Sequence, residues 1–200
     1  MTNVIFDVGN VLLDWNAHRV YRGLLPSDAE IDAFFEEVGF FAWNLEQDRG
    51  RSFADGIAEL SERYPGRADL IARYDSHWQD SIIGPIHGTV EIKQRLMDAG
   101  IPIYGITNFS SEKWPEEQAR YDFLRDFRDI VVSGDIGIVK PDPAIYHALI
   151  ERNGLDVSRS VFIDDSPKNV AGAEAVGMDA IQFTTPEALS VALRDRGLPA

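Results

Sequence analysis

Short runs of apolar residues alternate with longer stretches of helical periodicity over most of this chain. The first run, residues 4–6, leads directly into Asp7 and then into a turn of small and polar residues at Gly9-Asn10. A short apolar run that ends in turn-forming residues is typical of a strand buried on both faces of a sheet. The pattern therefore predicts a first strand that delivers Asp7 at its carboxyl end.

The apolar spacing changes to three and four residues between positions 16 and 83, which indicates amphipathic helices. The predicted helices cover residues 31–38, 53–60 and 68–78. The apolar segment 39–44 lies between the first two and is interpreted as a loop. Its aromatic residues Phe40, Phe41 and Trp43 either fill the helical core or face a ligand. No strand-like run is apparent, so residues 16–83, here called the helical insert, are expected to form a small bundle.

Beyond Gly84-Pro85 the pattern alternates between strands and helices. Strands are predicted at residues 101–106, 130–132, 160–163 and 180–183, and helices at 89–99, 142–153 and 168–176. Each of these helices is followed by glycine, which readily takes the left-handed C-cap conformation. The alternation predicts an α/β fold, a doubly wound parallel Rossmann-like sheet. Its core comprises residues 1–15 and 84–200, and the last ten residues are interpreted as a polar helix and tail.

The composition limits the partners of such a domain. The chain has 33 acidic and 19 basic residues, a net charge of −14 that disfavours nucleic acid and anionic membranes. It contains no cysteine, which excludes disulfides and thiolate catalysis. Neither a signal-peptide pattern nor a long apolar run is present, and a cytoplasmic protein is expected.

Polar side chains follow four of the predicted strands. They are Asp7 after the first strand, Thr107 and Asn108 after the second, Lys140 beyond the third, and Asp164 and Asp165 after the fourth. Ligands of parallel sheets bind at the carboxyl ends of the strands, so these groups are expected to share one cleft. Crowded carboxylates favour a bound cation, and oxygen ligands without His or Cys favour Mg²⁺ beside a phosphate. Lys140 and Thr107 suit phosphate oxygens, and an Asp can attack a phosphoryl group.

In their order, these four stretches resemble the motifs of the haloacid dehalogenase superfamily, whose members are mostly Mg²⁺-dependent phosphatases. The helical insert is similar in position to that superfamily's type-one (C1) cap. The resemblance implies that Asp7 is the nucleophile and that Lys140 orients it. It implies substrate contacts from Thr107, Asn108 and Lys140, and metal ligands Asp7, Gly9 (through its carbonyl), Asp164 and Asp165. Asn169 is expected to fix the turn after the acidic pair.

One position departs from the family pattern. Most family phosphatases carry a second Asp two residues after the nucleophile, which protonates the leaving group and then activates water, and here that residue is Gly9. The local sequence resembles instead a bacterial subgroup of sugar phosphatases similar to α-D-glucose-1-phosphate phosphatase. The resemblance implies hydrolysis of a small phosphorylated metabolite, a sugar phosphate, by a monomer or homodimer. Either a good leaving group or another proton donor must replace the missing acid, and His18 and His77 are candidates.

Two alternatives remain at this stage. A 2-haloacid dehalogenase would use Asp7 without metal, and such enzymes also lack the second Asp. The adjacent carboxylates of Asp164 and Asp165 suit a metal-free site for a carboxylate substrate poorly. The other alternative is a module that binds a phosphorylated ligand without full catalysis.

Overall fold

The computed structural model describes residues 2–200, and a five-stranded parallel sheet forms its centre. Residues 2–200 contain seven strands, of which two, β2 and β3, lie outside this sheet: β1 (Asn3–Phe6), β2 (Leu13–Trp15), β3 (Ile82–Pro85), β4 (Ile103–Thr107), β5 (Asp129–Val132), β6 (Ser160–Asp164) and β7 (Asp179–Gln182). The sheet order is β5-β4-β1-β6-β7, with every neighbouring pair parallel. Because β1 lies in the middle, Asp7 leaves the sheet at the centre of its carboxyl edge. The predicted α/β fold is confirmed.

Residues 2–200 contain ten α-helices, some of which cover the two faces of this sheet. They are α1 (Asp28–Val38), α2 (Phe40–Asp48), α3 (Phe53–Arg63), α4 (Ala68–Ser76), α5 (His87–Asp98), α6 (Trp114–Arg120), α7 (Ser133–Ile136), α8 (Pro143–Asn153), α9 (Pro167–Ala175) and α10 (Pro186–Asp195). Successive strand residues point to opposite faces. Val4 and Phe6 join a core with α5 and α10, whereas Ile5 joins a core with α8 and α9. No helix within residues 2–200 combines the length and apolar character needed to cross a membrane.

The helical insert contains four α-helices, one more than predicted. The interpretation of residues 39–44 as a loop is wrong, because α2 begins at Phe40. Gly39 adopts a left-handed conformation (φ 66°), so one residue both ends α1 and redirects the chain into α2. Phe40 and Trp43 are buried among the aromatic rings of the insert, whereas Phe41 is 58% exposed.

A short antiparallel ribbon connects the helical insert to the core. Strands β2 and β3 pair with each other, with an irregularity between Asp14 and Trp15. Strand β3 begins at Ile82, so the absence of strands from residues 16–83 was predicted incorrectly. Strands of three and four residues are too short to show a recognisable period. The ribbon places the entry and exit of the insert side by side.

The C-terminal helix also differs from the prediction. It begins at Pro186, with Thr185 as its N-cap, and buries Leu189 and Leu193 against the face covered by α5. The segment predicted as a polar helix and tail therefore belongs to an amphipathic helix that closes one side of the sheet.

Candidate active site

The carboxylate of Asp7 lies at the end of β1 and is almost buried, with the residue 6% exposed. Its Oδ1 atom accepts a hydrogen bond from the backbone N–H of Val8 (2.7 Å) and pairs with Lys140 Nζ (2.8 Å). Among residues 2–200, no donor is within hydrogen-bonding distance of Oδ2. One carboxylate oxygen is thus fixed in orientation, and the other is available for chemistry.

Lys140 bridges Asp7 and Asp164. Its Nζ atom lies 2.6 Å from Asp164 Oδ2, and its side chain is 1% exposed. Asp164 also accepts hydrogen bonds from the Ser166 N–H (2.9 Å) and from the Asn169 amide (3.0 and 3.1 Å). Both oxygens of Asp164 are therefore engaged by nitrogen donors, and Asn169 fixes the turn after the acidic pair as expected.

Asp165 completes a cluster of three carboxylates. One oxygen each from Asp7, Asp164 and Asp165 lies within 4.8 Å of the others. Burial raises the pKa of Asp7 well above its usual range; the charge of Lys140 opposes this, and the charges of Asp164 and Asp165 add to it. Burial and the charge of Asp164 likewise raise the pKa of Asp165. A desolvated, oxygen-only cluster with more negative than positive charge fits a hard divalent cation.

Thr107, the last residue of β4, and the next residue, Asn108, differ in their hydrogen bonding. The hydroxyl of Thr107 is buried and has no hydrogen-bond partner among residues 2–200. The side chain of Asn108, by contrast, is engaged with the backbone of Lys140: its Oδ1 accepts from the Lys140 N–H (2.8 Å), and its Nδ2 donates to the Lys140 carbonyl (3.2 Å). Asn108 therefore positions the lysine, a role that the sequence did not indicate.

Gly9 lies in the turn that follows Asp7. The carbonyl of Val8 accepts hydrogen bonds from the N–H groups of Leu12 and Leu13 (both 2.9 Å), and Asn10 is left-handed with φ 55°. Asn tolerates this conformation better than most residues. A Cβ atom added at Gly9 would have no atom within 4 Å. The space that a side chain would occupy at position 9 is therefore open.

A cavity of about 100 Å³ lies between the core and the helical insert, beside Gly9. It is lined by Gly9, Leu13, Trp15, Asn44, Asp48, Trp78, Ile82, Asn108 and Phe109. The two candidate histidines lie elsewhere: His18 pairs with Asp32 (2.7 Å), and His77 contacts Ser76 and Arg73. Neither histidine lines the cavity, so neither is placed to donate a proton there.

Asp48 is the ionisable residue of the helical insert that lines this cavity. Burial raises its pKa to about 7, and the positive charge of Lys140 opposes that rise. The side chain of Asn44 lies beside it, with Nδ2 3.5 Å from Asp48 Oδ2. Asp48 was not predicted from the sequence, because it ends a helix whose first turns, residues 40–44, were interpreted as part of a loop.

The geometry of this cleft can be compared with known proteins. Residues 1–177 match the family of haloacid dehalogenase-like hydrolases. The chain belongs to this family. The cluster of Asp7, Lys140 and the acidic pair is therefore the candidate active site of a haloacid dehalogenase-like hydrolase.

Relatives of this haloacid dehalogenase-like hydrolase include two proteins named as phosphatases. The sesquiterpene phosphatase astK of Aspergillus oryzae is 23% identical over 193 residues, covering 95% of this chain and 93% of that protein. The D-ribitol-5-phosphate phosphatase of Bacteroides thetaiotaomicron is 23% identical over 197 residues, covering 90% of both chains.

Solved structures of similar fold cover nearly the whole chain. The HAD family enzyme bt-2542 of Bacteroides thetaiotaomicron has a TM-score of 0.75 at 21% identity, covering 97% of this chain and 98% of that one. Another structure of that enzyme is a complex with magnesium and inorganic phosphate. A dehalogenase has a TM-score of 0.69 at 16% identity, covering 96% of this chain and 97% of that one. At these identities the likeness shows the fold alone.

The burial of Asp48 predicts a pH-dependent effect of Asp48→Asn on stability. The pKa of this carboxyl group is about 4 in the unfolded chain and about 7 in the folded chain. Ionisation therefore favours unfolding as the pH rises between these values, and neutral Asn avoids this cost. We expect the free energy of unfolding of the variant to exceed that of wild type by about 1–3 kcal/mol at pH 8.

Urea unfolding of both proteins between about pH 5 and pH 8 measures this difference. The advantage of the variant should grow with pH, because only wild type must ionise a carboxyl group at this position. Lys140 and Tyr74, whose charges interact with Asp48, are present in both proteins. Glu46→Gln, which changes a half-exposed carboxylate on the same helix, should show no such trend. A constant difference across the pH range would contradict the prediction.

Proposed function

We propose that this haloacid dehalogenase-like hydrolase is a Mg²⁺-dependent phosphatase that hydrolyses a small phosphorylated metabolite, with a sugar phosphate as the substrate class. The observation that carries the proposal is the arrangement of Asp7. One of its oxygens is held by Val8 N–H and Lys140, and the other is free beside two further carboxylates. The relative named for D-ribitol-5-phosphate supports a hydroxylated substrate.

In the proposed reaction, Asp7 Oδ2 attacks the phosphorus atom and the bond to the leaving oxygen breaks, which gives an aspartyl-phosphate. Lys140 holds Asp7 in the attacking orientation and balances the charge that develops on the phosphoryl group. The buried, unpartnered hydroxyl of Thr107 is the donor that we assign to a phosphoryl oxygen. Attack of water on the phosphorus atom then releases phosphate and restores Asp7.

The metal would be held by Asp7, Asp165 and the Gly9 carbonyl, with Asp164 completing the carboxylate cluster. Because both oxygens of Asp164 already accept nitrogen donors, we assign the more direct contact to Asp165. When bound, Mg²⁺ supplies positive charge opposite the phosphoryl oxygens and lowers the repulsion among the carboxylates.

We propose residues 1–15 and 84–200 as the catalytic core and the helical insert, residues 16–83, as its cap. Polar contacts between them include the pairing of Lys113 with Asp75 (2.7 Å) and the hydrogen bond that Glu112 accepts from the Phe53 N–H (3.2 Å). The β2–β3 ribbon is the proposed hinge. A cytoplasmic location and a monomeric or homodimeric state stay predictions from the sequence.

Removal of metal tests the proposal against a dehalogenase. We expect the protein to hydrolyse p-nitrophenyl phosphate with Mg²⁺, to lose at least about 100-fold of this activity after chelation, and to regain it when Mg²⁺ is restored. Halide release from 2-chloropropionate, assayed in parallel, should stay at background, because three carboxylates repel that anion. Metal-independent halide release without phosphatase activity would overturn the proposal.

A further inference from the structure

We propose that Asp48 of the helical insert is the general acid and base that protonates the leaving oxygen and then activates water, in place of the side chain missing at Gly9. This inference rests on the proposed phosphatase function and names a catalytic residue that the family motifs do not contain.

The first support is the position of Asp48. It is the last residue of α2 and lines the same cavity as Gly9, two residues after Asp7, and Asn108, the residue after Thr107. A leaving group attached to a phosphoryl group on Asp7 would extend into this cavity. Asp48 therefore faces the part of the substrate that must receive a proton.

The second support is the way in which this position is fixed. The backbone carbonyl of Asp48 accepts a hydrogen bond from the Ser133 hydroxyl (2.5 Å), which itself accepts one from the Phe109 N–H (2.9 Å). Two residues on, Gly50 (φ 96°) lies so close to the core that a Cβ there would be 2.7 Å from the Gly134 carbonyl oxygen. Glycine permits this approach. The segment that carries Asp48 is thus attached to the loop after β4 and to helix α7, which follows β5.

The third support is the open space at Gly9. No atom lies within 4 Å of where its Cβ would be, and the cavity extends from Gly9 to Asp48. A carboxylate supplied from the insert and one supplied from position 9 would therefore both border this cavity. His18 and His77 make their contacts elsewhere, which leaves Asp48 as the ionisable side chain of the insert at this cavity.

The chemistry needs one group that can serve in both protonation states. Burial raises the pKa of Asp48 to about 7, so that near neutral pH its carboxyl group can both hold and release a proton. In the first step the P–O bond to the leaving group breaks, and the leaving oxygen takes the Asp48 proton as Asp7 binds phosphorus. In the second step water attacks phosphorus, its proton returns to Asp48, and the bond between Asp7 and phosphorus breaks.

The test compares leaving groups in Asp48→Asn and wild type. The substrates are para-substituted aryl phosphates, from p-nitrophenyl to p-methoxyphenyl phosphate, which differ little in size but strongly in the basicity of the leaving oxygen. For p-methoxyphenyl phosphate we expect kcat/KM of the variant to fall by about 10²–10⁴-fold, whereas p-nitrophenyl phosphate should lose less than about tenfold. The variant should also release a burst of p-nitrophenol before a slow steady state, because the second step lacks its base.

Two further variants separate catalysis from structure. Glu46→Gln removes a half-exposed carboxylate from the same helix and should keep the wild-type dependence on the leaving group. Gly9→Asp, added to Asp48→Asn, should restore activity toward p-methoxyphenyl phosphate, and Gly9→Asn in the same background should not. A Cβ atom at position 9 meets no atom within 4 Å outside residues 8–10, and both side chains are of similar size.

The outcomes distinguish this inference from the phosphatase proposal. If Asp48→Asn lowers kcat/KM equally for every aryl phosphate, or leaves it unchanged, then Asp48 is not the proton donor, although the phosphatase proposal stands. If wild type with Mg²⁺ hydrolyses none of the aryl phosphates, the phosphatase proposal fails and the assignment of Asp48 fails with it.

Discussion

Asp7→Asn is expected to lower kcat/KM for p-nitrophenyl phosphate by at least about 10⁴-fold, on the scale seen when a nucleophile is removed. The amide keeps the shape of the side chain but cannot form the acyl-phosphate bond. Acid-quenched wild type, incubated with substrate labelled in its phosphoryl group, should retain label on Asp7, and the variant should retain none. Stopped assays of both proteins at equal concentration measure the loss.

The fold should survive this substitution, because Lys140 keeps its 2.6 Å contact with Asp164. A melting temperature within a few degrees of wild type would show that chemistry, and not folding, was lost. Asp122→Asn, which changes an exposed carboxylate far from the sheet edge, serves as the control and should keep full activity. Equal and poor hydrolysis by wild type and Asp7→Asn would favour the module that only binds a phosphorylated ligand.

Lys140→Met is expected to affect both stability and activity. The substitution leaves the buried carboxylates of Asp7 and Asp164 without their shared ammonium group, and unpaired buried charges of this kind cost about 3–5 kcal/mol. Activity should fall by at least about 10²–10³-fold, because a charge-stabilising donor is lost at the phosphoryl group. Urea unfolding and phosphatase assays measure the two effects.

The loss of stability in Lys140→Met should increase as the pH rises. Without Lys140, its charge and hydrogen bond no longer oppose the effect of burial, so the pKa of Asp7 lies even higher in the folded variant than in wild type. The cost is therefore largest at neutral and alkaline pH and shrinks as the carboxyl groups take up protons on acidification. Added Mg²⁺ should recover part of the stability.

Lys93→Met is the matched control for Lys140→Met, since Lys93 is also buried but donates to the Phe123 carbonyl (2.9 Å) and to Met97 Sδ (3.4 Å), not to a carboxylate of the site. The Lys93→Met variant should lose at most some of its free energy of unfolding, and its phosphatase activity should equal that of wild type. Full phosphatase activity in Lys140→Met would contradict the role assigned to this lysine.

Most of the core site could be predicted from the chain because sheet geometry brings strand ends together. Asp7, Thr107 and Asp164 each terminate or follow a strand, and parallel pairing in register places those ends along one edge. That inference needs only the strand positions, which short apolar runs reveal. The role of Asn108 could not be inferred from the strand positions. Its partner Lys140 lies 32 residues away and is contacted through the backbone.

Asp48 could not be predicted from any pattern in the chain. Its position at the cleft depends on how the helical insert packs against helix α7, through the Ser133 hydrogen bond and the approach of Gly50 to Gly134. Such contacts depend on shape and single hydrogen bonds, for which helical periodicity gives no signal. The same limit explains the error at residues 39–44, where one left-handed glycine joined two helices without a loop.

The β2–β3 ribbon has a consequence for how such proteins diversify. Because the two strands pair along the ribbon, the polypeptide leaves the core and returns to it within the spacing of neighbouring strands. Recombination at this junction can exchange the whole insert while the register of the parallel sheet and Asp7, the proposed nucleophile, stay in place. If Asp48 travels with the insert, such an exchange changes the acidity and placement of the proton donor together with the pocket for the leaving group. Inheritance of one segment would then alter which esters are cleaved, with the phosphoryl chemistry of Asp7 retained.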